Sequence, residues 1–112
     1  EFLDKLRSLD NIHENAILVT ADVVGSYPSI PHDDGLRALR EKLDTFDDKK
    51  IPTNFIIRLA EFVLKNNFFE FDSQVKHQVS GTAIGSKFAP PYTCVFMDVI
   101  ETAFLEKESI KP

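Results

Sequence analysis

The aspartate at position 22 is unusual because it lies within an apolar stretch of the chain. Residues 16–19 read Ala-Ile-Leu-Val, and Val23-Val24 follows the aspartate, a pattern typical of a strand buried on both faces. A buried carboxylate is costly unless a positive charge lies beside it. At the end of a strand, where the backbone opens to solvent, a metal ion is a natural partner. The sequence therefore predicts a buried strand that ends in a candidate metal ligand, Asp22.

Turn-forming residues follow this aspartate at short spacing. Tyr27 comes five residues after Asp22, and Pro28 and Pro31 favour a turn that ends the strand. Each residue also has an ordinary structural explanation. Asp22 would then accept hydrogen bonds from nearby backbone amides, and Tyr27 would be a core aromatic side chain.

A second candidate segment, GTAIGSK at residues 81–87, combines two glycines with a serine and a lysine. A phosphate-binding P-loop has four residues between its glycines, followed directly by Lys and then Ser or Thr. Here three residues separate Gly81 from Gly85, Ser86 precedes Lys87, and Phe88 follows. The spacing argues against a nucleotidase loop and leaves an ordinary glycine-containing loop as the structural alternative.

Length and composition limit the class of protein. A chain of 112 residues with 43% hydrophobic residues is long enough to bury a core as one domain. The single cysteine cannot form an internal disulfide, which fits a reducing, intracellular compartment. No apolar run is long enough to span a membrane, so no membrane partner is expected. The net charge of −5 is opposite to that expected of a phosphate-binding surface.

Apolar spacing predicts an α+β order around the two candidate segments. Helices are expected at residues 2–9, 33–46, 52–65 and 88–106. Two short runs, 68–71 and 75–79, indicate a β-hairpin. The order of helix, buried strand, two helices, hairpin, loop and long helix is typical of an α+β domain.

The sequence also predicts which faces of the two central helices are exposed and which are buried. The helix at 33–46 has three basic residues: Arg37, Arg40 and Lys42. They could form an edge that faces phosphate or an ordinary solvated face, and we expect the solvated face. The helix at 52–65 is expected to bury one apolar stripe: Phe55, Ile56, Leu59, Ala60 and Val63.

The two candidate segments together resemble two motifs of reverse transcriptases. Residues 17–31, ILVTADVVGSYPSIP, resemble motif A, with its aspartate, aromatic residue and proline. Residues 80–97, SGTAIGSKFAPPYTCVFM, resemble motif B, which is a glycine-containing loop, a small residue before a proline, and a helix. The amino-acid sequences of both segments are most similar to those of Penelope-like retroelements.

This resemblance implies a partial right-hand polymerase palm and RNA-directed DNA synthesis with two magnesium ions. The partners would be an RNA template, a DNA primer and a deoxynucleoside triphosphate. The Asp22 carboxylate and the Val23 carbonyl would bind metal, and the Tyr27 ring would exclude a ribonucleotide's 2′-hydroxyl. The loop residues that would contact the template base, the nucleotide or backbone phosphate are Gly81, Gly85, Ser86 and Lys87.

Several features depart from the family pattern. Many reverse transcriptases have Gln where this chain has Ile84, and nothing after Met97 matches motif C, the Asp-Asp pair that supplies the remaining metal ligand. The finger residues that bind triphosphate also have no counterpart. We therefore interpret residues 1–112 as a single fragment of a reverse transcriptase domain, inactive alone and able to bind magnesium only weakly.

Two alternatives stay open beside the polymerase. One is a catalytically inactive retroelement remnant, retained as a structural or partner-binding domain, which the acidic net charge and the missing second acidic site favour. The other is a purely helical interaction module, which leaves Asp22 in its apolar run unexplained.

Overall fold

The structure is a computed structural model that describes residues 2–10, 12, 14–17, 19–20, 22–48 and 50–107. Within these ranges the chain forms five helices and one two-stranded sheet, an α+β architecture as the sequence predicts. The elements in chain order are α1 (Phe2–Arg7), α2 (Ser26–Ser29), α3 (His32–Asp44), α4 (Thr53–Lys65), β1 (Phe68–Phe71), β2 (Gln74–His77) and α5 (Ala89–Lys107). Across the described ranges, no helix combines the length and apolar character needed to cross a membrane.

The longer helices begin where prolines and acidic residues favour a helix start. α3 follows Pro31 and carries two acidic residues, Asp33 and Asp34, in its first turn, where they complement the positive end of the helix dipole. α5 accommodates Pro90 and Pro91 because the N–H groups of a first turn have no partner inside the helix. The helix predictions from apolar spacing are thus confirmed to within a few residues.

The core lies where α3 and α4 meet the first half of α5. Ile30, Leu64 and Tyr92 form the buried cluster, and α3 packs against both of the other helices. The Phe88 ring stacks on Tyr92 with their centroids 4.9 Å apart. α3 is therefore the central element, because the other two long helices both depend on it.

Gly35 allows the Tyr92 side chain to reach the backbone of α3. A Cβ at position 35 would overlap the hydroxyl oxygen and Cζ of Tyr92. The Tyr92 side chain is 2% exposed, and its hydroxyl finds no hydrogen-bond partner among the described residues. Burial, together with the nearby negative charge of Asp34, raises the pKa of Tyr92 to about 12.

The apolar stripe predicted for α4 is wrong in most of its members. Of the predicted stripe only Ala60 is buried, whereas Phe55 and Leu59 are exposed. The other buried residues of α4 are Ile57 and Leu64, which are not part of that stripe. α4 has apolar side chains on more than one face, so apolar spacing alone does not determine which face packs against α3. One apolar face of this helix therefore remains in solvent.

The buried strand predicted at residues 16–24 is also wrong. No described residue of this range is in a strand, and Ile17, Val19 and Val24 are 85%, 77% and 92% exposed. A strand needs a neighbour that pairs with its backbone N–H and C=O groups, and β1–β2 is the only sheet among the described residues. Two members of the run lie outside the described residues: Leu18 and Ala21.

The β-hairpin forms as predicted, between α4 and the glycine-containing loop. β1 and β2 are antiparallel, and Phe68 pairs with His77, its ring stacked on the imidazole at 4.8 Å between centroids. The turn residues Asp72 and Ser73 have φ values of 51° and 57°, the left-handed conformation that a two-residue type I′ turn requires. His77 Nε2 donates to the Lys65 carbonyl at 2.7 Å, which ties the hairpin to the end of α4.

Replacing Tyr92 with Phe is expected to leave the free energy of unfolding unchanged at pH 7 or to raise it by up to about 1 kcal/mol, because the hydroxyl is buried without a partner. Above pH 10 the unfolded tyrosine ionises, whereas the folded one stays neutral to about pH 12. The wild type should therefore lose about 1.4 kcal/mol per pH unit in this window relative to Tyr92→Phe. Urea unfolding of both chains at pH 7 and across the alkaline window measures the difference, and a less stable Tyr92→Phe at pH 7 would contradict it.

Candidate functional site

The glycine loop, defined as residues 80–87, lies directly against α2. The Thr82 N–H donates to the Tyr27 carbonyl at 2.8 Å, and the Thr82 side chain is buried. This main-chain hydrogen bond joins the two segments that the sequence singles out. The backbone of Tyr27 therefore has a fixed position relative to the start of the loop.

Gly81 packs on Pro28, the next residue of α2. Its φ of +72° lies in the left-handed region, and an added Cβ would lie 2.5 Å from Pro28 Cα and from its carbonyl oxygen. Both the backbone conformation and the contact require a glycine. The side of Gly81 that lacks a Cβ thus faces the protein, so this residue positions the loop.

His32 holds the same loop from α3, although it belongs to neither motif-like segment. Its Nε2 donates to the Gly81 carbonyl at 2.8 Å in a half-buried position. His32 is the first residue of α3, directly after Pro31. Its place after the proline turn is the only feature of the sequence that could have drawn attention to His32. Its partner Gly81 lies 49 residues away, so no local motif links the two. The loop is therefore attached to both α2 and α3.

The second half of the glycine loop is open. An added Cβ at Gly85, whose φ is +95°, would have nothing within 4 Å, and Lys87 is exposed without an ion pair to another described residue. Ser86 differs, because its hydroxyl oxygen accepts the Phe88 N–H at 3.2 Å and its carbonyl accepts the Ala89 N–H at 3.1 Å. Ser86 thus stabilises the turn that leads into α5, and the loop positions exposed to a ligand include Gly85 and Lys87.

Asp22 and Val23 lie in the exposed segment before α2. Asp22 forms no hydrogen bond or ion pair with another described residue, so the structure does not tie its carboxylate to the glycine loop. Gly25 precedes α2 in the left-handed conformation, with φ 61°, and turns the chain toward Tyr27. The Tyr27 side chain is half-buried. The structure therefore brings Tyr27, but not the Asp22 carboxylate, into hydrogen-bonded contact with the loop.

The described residues do not complete a magnesium site. Among them, no group of three or more His, Cys, Asp or Glu side chains is arranged to hold a metal ion. Magnesium requires near-octahedral oxygen ligands, some of which are waters or substrate phosphates. Asp22 supplies a single carboxylate, so the donor set found here does not by itself fit the two-magnesium centre that the resemblance implies.

A small cavity of about 30 Å³ lies behind the loop, lined by Val63, Leu64, Asn67, Thr82, Ala83 and Ser86. A volume of this size holds about one water molecule. A ligand larger than a water molecule would therefore contact the loop on its exposed side, where Gly85 and Lys87 are accessible.

No protein-family model, no curated protein and no solved structure matches the chain.

Replacing Gly81 with Ala is expected to destabilise the chain more than replacing Gly85 with Ala. Both changes place a side chain on left-handed backbone, at about 1–2 kcal/mol each. Only the change at Gly81 also forces Cβ into Pro28, which adds about 1–3 kcal/mol. Urea unfolding measures both losses, and amide exchange at Thr82 should accelerate in Gly81→Ala alone. Equal losses in the two variants would show that the Pro28 contact contributes nothing.

Proposed function

We propose that this chain forms part of the palm of an RNA-directed DNA polymerase, which extends a DNA primer on an RNA template by nucleotidyl transfer. The observation that carries the proposal is the hydrogen bond from the Thr82 N–H to the Tyr27 carbonyl, reinforced by the packing of Gly81 on Pro28. The motif A and motif B segments of a polymerase must meet, because both contact the same incoming nucleotide. Here the two segments that resemble those motifs are in direct contact.

The accessible residues suit distinct parts of a nucleotide. The Tyr27 ring extends from a backbone that the glycine loop fixes, which supports a role as a steric gate at the sugar. Lys87 carries a positive charge that no described acidic residue pairs with and that suits phosphate, and Gly85 leaves room for a base or sugar to approach the backbone. In this proposal Gly81 positions the loop, and Ser86 stabilises the turn that precedes α5.

In the proposed enzyme Asp22 would be a metal ligand. Two magnesium ions in such a centre stabilise the charge that develops on the attacking and leaving oxygens. The Asp22 carboxylate and the Val23 carbonyl would hold one side of that centre. Its remaining ligands are not among the described residues.

Replacing Tyr27 with Ala is expected to increase ribonucleotide incorporation relative to deoxynucleotide incorporation in the polymerase that carries these residues. A 2′-hydroxyl that overlaps a packed ring costs about 1–3 kcal/mol. Removing the ring should therefore raise the incorporation ratio by about one to two decades. Single-nucleotide primer extension with each substrate measures this ratio.

Two further variants serve as controls for that experiment. Tyr27→Phe keeps the ring and should keep the selectivity of the wild type. Asp22→Asn removes a charged ligand and should abolish incorporation of both substrates. An unchanged ratio in an active Tyr27→Ala enzyme would contradict the gate and return Tyr27 to the role of a packing residue.

The 112-residue chain alone is expected to bind magnesium more weakly than with micromolar affinity. One carboxylate cannot replace most of the water around the ion. Isothermal titration calorimetry of the wild type and of Asp22→Asn measures this directly. A micromolar site that disappears in Asp22→Asn would show that further ligands lie close to Asp22 and would contradict the incomplete donor set.

A second candidate is a non-catalytic domain that derives from a retroelement and binds a protein partner. The exposed apolar side chains favour it, because contiguous apolar surface of this kind marks interaction sites. One face of α4 alone presents Phe55, Leu59 and Phe62 to solvent. In such a domain Asp22→Asn would leave partner binding intact, and primer extension would be absent from the wild type as well.

A further inference from the structure

A cleft of about 540 Å³ lies between α3 and α4, apart from the glycine loop. We refer to it as the arginine cleft, after the two cationic side chains among its lining residues: Arg40, Asn54, Phe55, Ile57, Arg58 and Glu61. None of these residues belongs to the glycine loop or to the segment around Tyr27.

One arginine of the cleft is held in place by a neighbour. Arg40 Nη1 donates to Asn54 Oδ1 at 2.9 Å across the two helices. A guanidinium group has five N–H donors, so this single hydrogen bond leaves the others available to an anion. The Arg40 side chain is therefore oriented at the cleft, and no described acidic residue forms an ion pair with it.

The other arginine also keeps its charge available. Arg58 forms no hydrogen bond or ion pair with another described residue. The one acidic residue of the lining, Glu61, is bound by Lys65 Nζ at 2.6 Å. That hydrogen bond, and then the charge of Lys65, lower the pKa of Glu61, with a smaller effect from Arg58. Because Lys65 compensates Glu61, the arginine cleft is locally positive on a chain of net charge −5.

An exposed aromatic ring lies beside these cations. The Phe55 side chain is 59% exposed, whereas Ile57 next to it is buried and faces the core. Guanidinium groups bind phosphate oxygens in bidentate fashion, and an exposed ring offers a surface on which an unpaired base can stack. A purely acidic chain such as polyglutamate would satisfy the two cations but would leave the ring without a matching group.

We propose that the arginine cleft binds a single-stranded nucleic acid, with Arg40 and Arg58 on its phosphates and one base stacked on Phe55. This inference goes beyond the polymerase proposal, because it uses no residue of either motif-like segment. It requires neither magnesium nor catalysis.

Fluorescence anisotropy with a short labelled oligouridylate, in magnesium-free buffer over a series of salt concentrations, tests the cleft. The wild type should bind saturably, and two phosphate contacts give a slope of about −1.4 in log K against log salt. Arg58→Gln should weaken binding about fivefold or more and make the slope less negative by about 0.7. Phe55→Ala should weaken binding by at least about fivefold without changing the slope.

The matched control is Arg37→Gln, which removes one positive charge, as Arg58→Gln does, but from the neighbouring helix that carries Arg40. Arg37 also lies on α3 but pairs with Asp34 at 2.7 Å and does not line the cleft. Its replacement should leave the affinity and the slope close to those of the wild type. Arg58→Lys keeps the charge and should retain the slope, and circular dichroism checks that each variant is folded.

Three results would overturn the inference. An equal loss in Arg37→Gln and Arg58→Gln would show that binding is only diffuse attraction to positive charge. Competition by polyglutamate as effective as that by unlabelled RNA would indicate an acidic protein partner, and an absence of saturable binding by the wild type would indicate no site. Asp22→Asn should bind the oligonucleotide like the wild type, so failure of the polymerase proposal is distinguishable from failure at the cleft.

Discussion

The packing of Tyr92 against Gly35 determines how the rest of the structure is arranged. It places the first half of α5 directly on α3, since any side chain at position 35 would occupy the space of the tyrosine. The glycine loop leads into α5, so anchoring that helix also fixes where the loop ends. The beginning of the loop is fixed by Tyr27 and His32. The candidate site thus depends on a contact made in the core.

The parts of the fold that depend on local signals could be predicted from the sequence, and the parts that depend on distant partners could not. Apolar spacing and prolines place α3, α4 and α5 correctly because a helix satisfies its own backbone. Residues 16–24 have strand-like composition, but a strand also requires a neighbour, and none pairs with them among the described residues. The same reasoning explains the site. Motif spacing singles out the segments of Tyr27 and Gly81, which the structure brings into contact, whereas the contact of His32 with Gly81 arises only after folding.

The small core gives the molecule an open shape. Its radius of gyration is 18.4 Å, whereas a compact domain of this length has about 13 Å. Apolar side chains on the segment before α2, on one face of α4 and on the hairpin remain in solvent. Their hydrophobic free energy is not used within the described part of the chain, and covering them would add to the stability that the buried cluster of Ile30, Leu64 and Tyr92 supplies.

The contact between Tyr27 and Thr82 has a consequence for how the sequence can vary. It joins a carbonyl to an N–H, so it depends on main-chain atoms and not on the identity of either side chain. The residue at position 27 can therefore change in size or polarity during evolution while the loop keeps its position. Position 81 has no such freedom, because Pro28 occupies the space of any side chain there. The position of the loop thus depends on main-chain atoms of Tyr27 and Thr82, whereas the Tyr27 side chain can vary without moving the loop.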